Sequence, residues 1–184
     1  MHRLINQVRA RKIEAYYKNK LSGFSILADN IWDPHNVAAI ARTADGFGIS
    51  TIYLYYSYNN FPDFKKVGKK SSSSATNWIS FENVKDISSF AEQKKREGYL
   101  FLGSMSCEGA YNLSSYSFPD KCIVILGSEN KGISSELKSF CDGFINIPMA
   151  GMVESYNVSV AAGVIMYEAF KQKGKGIVLR GAHE

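Results

Sequence analysis

The chain has 184 residues, of which 45% are hydrophobic and 21% are charged, and its formal net charge is +5 at pH 7. This length suits one domain with a complete core, and the composition is ordinary for a folded globular protein. No apolar run is long enough to span a membrane, and the basic N-terminus lacks the apolar core of a secretory signal, so we expect a cytoplasmic protein with no membrane partner.

The positive charge is concentrated in two basic clusters, one in a predicted N-terminal helix over residues 3–19 and one in a loop-like segment over residues 57–76. Such clusters suit a polyanion, nucleic acid above all, although a solvated charged surface gives the same pattern. The residues that we select as candidate RNA phosphate contacts are Arg9, Arg11, Lys12, Lys65, Lys66, Lys69 and Lys70.

Apolar runs separated by turn-forming residues predict alternating strands and helices along the rest of the chain. Strands are predicted over residues 24–28, 52–56, 78–81, 99–103, 122–126 and 144–147, and helices over residues 36–47, 84–97, 134–140 and 156–171. This alternation indicates an α/β fold with a mostly parallel sheet flanked by helices. Ligand sites in such sheets lie at the carboxyl ends of strands. The unusual residues of this chain follow four predicted strands, after Ala28, Gly103, Leu126 and Ile147.

The cysteines and histidines are scattered along the chain. Cys107, Cys122 and Cys141 form no spacing that is typical of a zinc site, so no metal is predicted. Cys122 and Cys141 adjoin apolar residues, and we expect both to be buried thiols, which fits a reducing cytosol.

The stretch DNIWDPHN (residues 29–36) follows the first predicted strand and leads into a helix. Asn36 is a suitable cap for that helix. Arg42 lies roughly opposite the apolar face of the helix among small side chains, so it is accessible to a phosphate or to a second subunit. An ordinary surface arginine would have the same spacing.

The stretch GSENKGIS (residues 127–134) follows a strongly apolar strand. Two glycines bracket Glu129 with a spacing that is not that of a Walker motif, and the carboxylate would repel phosphate, so the loop suits a neutral or cationic ligand. The chain also lacks the Gly-x-Gly-x-x-Gly, His-Glu-x-x-His and Gly-x-Ser-x-Gly motifs, which argues against dinucleotide-binding, zinc-protease and α/β-hydrolase functions.

The stretch INIPMAGMVESYNVSVAA (residues 145–162) predicts a short strand, a loop that contains Gly151, and a helix that Ser155 and Asn157 open. A strand, a glycine-containing loop and a small-residue helix can hold an adenosine-like ligand. The alternative, which the chemistry alone favours, is a structural joint in which Ser155 is only the N-cap of the last helix.

Taken together, these stretches resemble three ordered motifs of the SpoU/TrmH branch of the SPOUT methyltransferases. DNIWDPHNVAAIARTADGFG resembles motif 1, with Asn36 and Arg42 in place, ILGSENKGIS resembles motif 2, and INIPMAGMVESYNVSVAAGV resembles motif 3. Within the branch, DPHN together with GMVESYNVSVAA is most similar to the tRNA guanosine-18 2′-O-methyltransferases. The chain departs from these relatives by Gly-Ser-Glu in place of Gly-Ala-Glu in motif 2, by Tyr156 in place of leucine, and by a short segment after Lys171.

The resemblance implies a SPOUT fold with a C-terminal trefoil knot, an active homodimer whose sites each draw on both subunits, and tRNA as substrate. It divides the chain into an N-terminal basic helix over residues 1–20, a SPOUT methyltransferase domain over residues 21–171 and a short C-terminal tail over residues 172–184. The implied cofactor is S-adenosyl-L-methionine. The residues implied to bind it are Leu102, Gly103, Ser104, Gly127, Ile147, Met149, Ser155, Asn157 and Val158.

The resemblance also assigns the catalytic role to Arg42. A guanidinium has a pKa above about 12 and is a poor base, so we expect Arg42 to bind a neighbouring phosphate and to stabilise the developing alkoxide of the ribose 2′-oxygen. The phosphate or a water molecule would then take the proton. The other expected catalytic residues, which hold the arginine, the ribose and the loops in place, are Asn36, Glu129, Ser155 and Asn157.

Three other functions remain open from the sequence. The same chemistry on ribosomal RNA or on another tRNA position is the first, because substrate choice lies largely outside the shared motifs. A non-catalytic RNA-binding module is the second, although such a module would not need all five catalytic residues. A small-molecule-binding α/β protein is the third, and it gives no reason for the two basic clusters.

Overall fold

The computed structural model describes residues 19–61 and 78–174, together with Ala10 and Glu14, both of which are helical. The strands of the described part are β1 (Phe24–Asp29), β2 (Thr51–Tyr55), β3 (Ser80–Val84), β4 (Leu100–Ser104), β5 (Tyr111–Asn112), β6 (Cys122–Leu126) and β7 (Gly143–Asn146). Its helices are α1 (Pro34–Gly46), α2 (Ile87–Arg96), α3 (Ser135–Phe140) and α4 (Val158–Lys173). The N-terminal helix predicted over residues 3–19 falls almost wholly outside the described residues.

The described strands form one parallel sheet in the order β3-β2-β1-β6-β4-β7-β5. The central strands β1 and β6 are buried along their whole length, which explains why both are continuous apolar runs in the sequence. The predicted α/β fold with a parallel sheet flanked by helices is confirmed.

The pairing register brings the predicted ligand-binding ends of four strands side by side. Leu126 at the end of β6 pairs with Ala28 of β1 on one side and with Ser104 of β4 on the other, and Ser104 also pairs with Ile145 of β7. The loops that follow β1, β6, β4 and β7 therefore leave the same edge of the sheet next to one another.

Two apolar layers cover the sheet. Buried side chains of α1 and α4 pack on one face with those of the central strands, and buried side chains of α2 and α3 pack on the other face. The C-terminal end of α1 also contacts α4, since the ring centroids of Phe47, the C-cap of α1, and Phe170 are 5.4 Å apart. The contact between α1 and α4 brings two of the predicted motifs together.

The structure differs from the sequence-based expectations around α2, where the predicted boundaries are wrong. β3 continues to Val84, which pairs with Tyr55, and the helix begins only at Ile87. The reason is local: the carboxylate of Asp86 caps the helix by accepting a hydrogen bond of 3.1 Å from the Ser89 backbone N–H. The two-residue strand β5 was not expected, because so short a segment has no periodicity.

The expectation of a buried thiol is confirmed for Cys122 and only partly met for Cys141. Cys122 is buried in β6, and burial raises the pKa of its thiol to about 12. Cys141 is only half buried, and Cys107 is exposed. Within the described ranges, no helix is long and apolar enough to cross a bilayer, and no group of His, Cys, Asp or Glu side chains is arranged to hold a metal ion.

Candidate active site

A cleft of about 490 Å³ lies at this edge of the sheet, and the segments after β4, β6 and β7 line it. This volume is within the range of small-molecule sites. The predicted cofactor residues that line it are Ser104, Gly127, Ile147, Met149, Ser155, Asn157 and Val158. The other two, Leu102 and Gly103, lie deeper in β4 and do not line it. Gly103 has a packing role there, because a Cβ atom on it would lie 2.6 Å from Cδ1 of Phe144.

The loop over residues 128–132 forms one wall of the cleft, and its shape requires the two glycines that bracket Glu129. Ser128 and Gly132 exchange two backbone hydrogen bonds, of 3.0 and 2.9 Å. A Cβ atom on Gly127 would lie 2.2 Å from the backbone C of Gly132 and from the backbone N of Ile133. Gly132 has a φ of +66°, which favours glycine.

Hydrogen bonds between side chains connect the three predicted motifs across the mouth of the cleft. The Asn157 amide donates to the Asn36 Oδ1 at 3.2 Å, and the Asn36 amide donates to the Glu129 Oε1 at 2.7 Å. The Glu129 Oε2 accepts a further bond of 3.1 Å from the Trp32 backbone N–H. We call Asn157, Asn36 and Glu129 the polar bridge. It joins the start of α1, the loop over residues 128–132 and the start of α4.

The helix caps differ from the expectations in a way that leaves Asn36 available for this bridge. Asp33, not Asn36, caps α1 by accepting a bond of 2.8 Å from the His35 backbone N–H, with Pro34 at the first helical position. Asn157, not Ser155, caps α4 by accepting a bond of 2.9 Å from the Ser159 backbone N–H. Ser155 is exposed in the loop ahead of α4 and lines the cleft.

The pair Asp29 and Asn30 was missed as a structural determinant of the site. Asp29 is fully buried, and its carboxylate accepts bonds from the Asn30 amide at 2.7 Å and from the Ser134 backbone N–H at 2.6 Å. Burial raises the pKa of Asp29 despite these bonds. Asn30 has a φ of +52°, and its Oδ1 accepts bonds from three successive backbone N–H groups over residues 57–59. An Asp-Asn pair directly after a buried strand was the available signal.

Arg42 does not reach this cleft. It is exposed on α1 and is absent from the lining. Six residues separate it from Asn36, which places it about 9 Å further along the helix axis, and it faces a different direction around that axis. The cleft of a single chain thus lacks the arginine expected to act in catalysis.

The charged side chains that line the described cleft are the carboxylates of Glu129 and Glu154. Because both are acidic, the cleft favours a ligand that carries positive charge. The candidate RNA contacts of the two basic clusters all lie outside the described residues, so the structure does not report on their positions.

Comparisons with known proteins agree with this arrangement. The SpoU rRNA Methylase family model matches residues 23–167. The chain is 31% identical over 169 residues to the tRNA (guanosine(18)-2'-O)-methyltransferase of Thermus thermophilus, which covers 92% of this chain and 85% of that protein. The TrmH/SpoU tRNA modifying enzyme of A. aeolicus superposes with a TM-score of 0.81 at 26% identity, over 91% of this chain and 84% of that chain.

A second solved structure shows a related protein with a ligand. The SpoU methyltransferase AviRb of Streptomyces viridochromogenes, in complex with the cofactor AdoMet, superposes with a TM-score of 0.71 at 26% identity, over 83% of this chain and 58% of that chain. The fold and the cleft thus define a parallel α/β protein of the methyltransferase class. The chain belongs to the SpoU rRNA Methylase family, because the family model matches most of its length. The trefoil knot stays a prediction.

A glycine at the cleft and a glycine away from it provide a matched test of the site. We expect Gly127→Ala to lower the affinity for S-adenosylmethionine about tenfold or more, because relieving the clash with Gly132 must move the loop. Gly46→Ala, at the end of α1, is the control, since no atom lies within 4 Å of a Cβ atom there and Gly46 does not line the cleft. Titration calorimetry would measure both affinities, and circular dichroism would verify folding. Equal affinities of the two folded variants would show that the loop does not shape the cofactor site.

Proposed function

We propose that this protein is an S-adenosylmethionine-dependent RNA 2′-O-ribose methyltransferase that acts on tRNA at guanosine-18. The observation that carries the proposal is the polar bridge, because it assembles three motifs around one cleft. Membership of the family supports the reaction, and the named activity of the T. thermophilus relative supports the substrate and the nucleotide. The proposed substrate implies that the enzyme works in the cytoplasm.

The cleft residues fit the proposed cofactor. S-Adenosylmethionine supplies a methyl group from a sulfonium centre that carries positive charge. Ile147, Met149 and Val158 provide an apolar wall for its adenosine part, while Glu129 and Glu154 give the cleft a negative charge that complements the sulfonium. We assign Ser104, Gly127, Ser155 and Asn157 to the same binding site. Leu102 and Gly103 would act indirectly, by supporting β4 behind it.

In the proposed reaction the ribose 2′-oxygen forms a bond to the methyl carbon as the bond from that carbon to sulfur breaks. The protein must hold these atoms in line, and such alignment contributes at most about 7–11 kcal/mol. The polar bridge and Ser155 would position the ribose and the loops. The proton of the 2′-hydroxyl would pass to a neighbouring phosphate or to water, and Arg42 would stabilise the developing alkoxide.

We further propose that the active unit is a homodimer in which Arg42 acts in the cleft of the partner subunit. Two observations support this proposal. Arg42 does not line the cleft of its own chain. In addition, the outer face of α4 carries Val160, Val164 and Tyr167 at helical spacing, and they are 51%, 40% and 54% exposed. A second subunit would bury such an apolar stripe.

The candidate RNA phosphate contacts extend the same proposal. Their basic side chains would bind the tRNA backbone around the cleft. They comprise Arg9, Arg11 and Lys12 from the N-terminal segment and Lys65, Lys66, Lys69 and Lys70 from the loop-like segment. We propose residues 21–171 as the methyltransferase domain that these segments serve.

The substrate is tested by following tritiated methyl groups from S-adenosylmethionine into unmodified tRNA and, separately, into ribosomal RNA. We expect label in tRNA, mapped to position 18 by nuclease digestion and mass spectrometry. A tRNA with a single 2′-deoxyguanosine at position 18 is the control, because it lacks the accepting hydroxyl. Label that persists in the deoxy tRNA would refute the nucleotide, and label in ribosomal RNA alone would refute the tRNA substrate.

The shared site is tested by combining two defective chains. An Arg42→Ala chain and a Glu129→Ala chain, each with a different affinity tag, are co-expressed and purified through both tags. If Arg42 acts in the partner cleft, one site of each mixed dimer is intact, and we expect about half of the wild-type activity. If Arg42 acts in its own cleft, both sites are defective and the mixture is no more active than the single variants. Failure to recover any doubly tagged dimer would refute the homodimer.

A further inference from the structure

Trp32 is exposed next to the polar bridge, and the peptide group that precedes it is hydrogen-bonded at both its carbonyl and its N–H. Its side chain is 72% exposed, whereas the preceding Ile31 is fully buried. The Ile31 carbonyl accepts a bond of 2.8 Å from the Tyr56 hydroxyl, and the Trp32 N–H donates to Glu129 of the polar bridge. The exposed ring is therefore carried by a residue whose backbone N–H is bonded directly to the polar bridge.

A second aromatic ring and a cation adjoin the loop over residues 128–132. The Tyr58 hydroxyl lies 3.0 Å from the Ser128 Oγ, and the Lys131 Nζ lies 4.5 Å from the centroid of the Tyr58 ring. The Tyr58 backbone N–H donates to the Oδ1 of Asn30. We call Trp32, Tyr58 and Lys131 the rim. All three are attached to, or part of, the loop that carries Glu129.

We propose that the rim holds the substrate nucleotide, with the Trp32 ring stacked on a nucleobase of the RNA and Lys131 in contact with a phosphate. This inference rests on the proposed function and adds the residues that grip the RNA. A ribose whose 2′-hydroxyl enters the cleft would bring its base close to the polar bridge, to which the Trp32 backbone is bonded. Aromatic side chains bind unpaired bases of any sequence through their faces, and lysine binds phosphate as a point charge.

A second copy of this chain is the competing occupant of the exposed Trp32 ring. The rim favours RNA, because the Trp32 backbone is bonded to the polar bridge and the same rim carries the cation of Lys131 beside the Tyr58 ring. The apolar stripe that suits a second subunit lies elsewhere, on the outer face of α4. The two occupants also tolerate different side chains at position 32, because stacking requires an aromatic face whereas an apolar interface accepts leucine.

Fluorescence would detect the stacking directly. The chain has two tryptophans, so a Trp78→Phe variant reports on Trp32 alone. Titration of this variant with an unmodified tRNA transcript should quench its emission, because a stacked base quenches indole, and the quenching should saturate at the concentration that saturates methyl transfer. Emission that is unchanged at saturating tRNA would overturn the proposal.

A substitution series would measure the contribution of the ring. We expect Trp32→Ala to raise the KM for tRNA roughly 5- to 100-fold, the range that one stacked base contributes. Trp32→Phe should recover most of the loss, and Trp32→Leu should not. S-Adenosylmethionine affinity by calorimetry should stay unchanged in all three variants. Tyr111→Ala is the control, since that exposed ring on β5 does not line the cleft.

Lys131 is tested through salt dependence. Lys131→Ala should reduce the slope of log affinity against log salt by about one, and Lys131→Arg should retain the slope. An unchanged slope in Lys131→Ala would refute the phosphate contact.

The outcomes separate this inference from the proposed function. If the wild-type enzyme methylates no RNA, the proposed function fails. If the wild type methylates tRNA and Trp32→Leu performs as well as Trp32→Phe, only the stacking fails. A Trp32→Ala variant that dissociates to monomers in sedimentation while it binds tRNA normally would assign the ring to the subunit interface and overturn the proposal.

Discussion

The hydrogen bond between the Asn36 amide and the Glu129 carboxylate is the contact on which the site depends. It joins the start of α1 to a loop that is 93 residues away in the sequence, and Asn157 extends it to the start of α4. A hydrogen bond to a charged group contributes about 1.5–3 kcal/mol when it is protected from water, and less at a partly exposed position such as this. Its larger effect is to fix the start of α1 against the loop over residues 128–132 and the start of α4, both of which supply cleft residues.

The bridge forms because the parallel register delivers these loops to one edge of the sheet. Ala28, Leu126 and Ser104 are neighbours across three strands, so the chain needs only short extensions beyond them to surround a cleft. The buried carboxylate of Asp29 adds to this order by binding the backbone N–H of Ser134 beyond the same loop. Site and core are therefore connected through β1, since Asp29 is the last residue of that strand.

Sequence reasoning could find six of the seven described strands, the parallel sheet and the motifs, because each depends on local patterns. Seven of the nine predicted cofactor residues line the cleft, since the loops after parallel strands meet by the rules of the fold. The bond between Asn36 and Glu129 could not be predicted from local sequence patterns. The sequence suggests Asn36 as the cap of α1, but in the folded chain Asp33 caps the helix and Asn36 binds Glu129, which is 93 residues away. The buried Asp29 and the helix boundary at Ile87 likewise depend on contacts that the local sequence does not specify.

The cleft in which Arg42 acts cannot be predicted from the sequence either. Its spacing from the apolar face of α1 correctly predicts an exposed side chain, but exposure does not reveal in which cleft the guanidinium acts.

The structure explains two of the three positions at which the sequence departs from its relatives. The Ser128 hydroxyl binds Tyr58, and the Tyr156 hydroxyl lies 3.4 Å from the Pro148 carbonyl, so two of the three contribute contacts at the site.

A double-mutant cycle between Asn36 and Glu129 would test the central claim most directly. The rate constant kcat/KM for methyl transfer to tRNA would be measured for Asn36→Ala, Glu129→Ala and the combined variant. If the two side chains act as one bridge, the combined loss should be close to the larger single loss, with a coupling free energy of about 1–2 kcal/mol. Losses that multiply independently would contradict the account, because the two residues would then contribute separately.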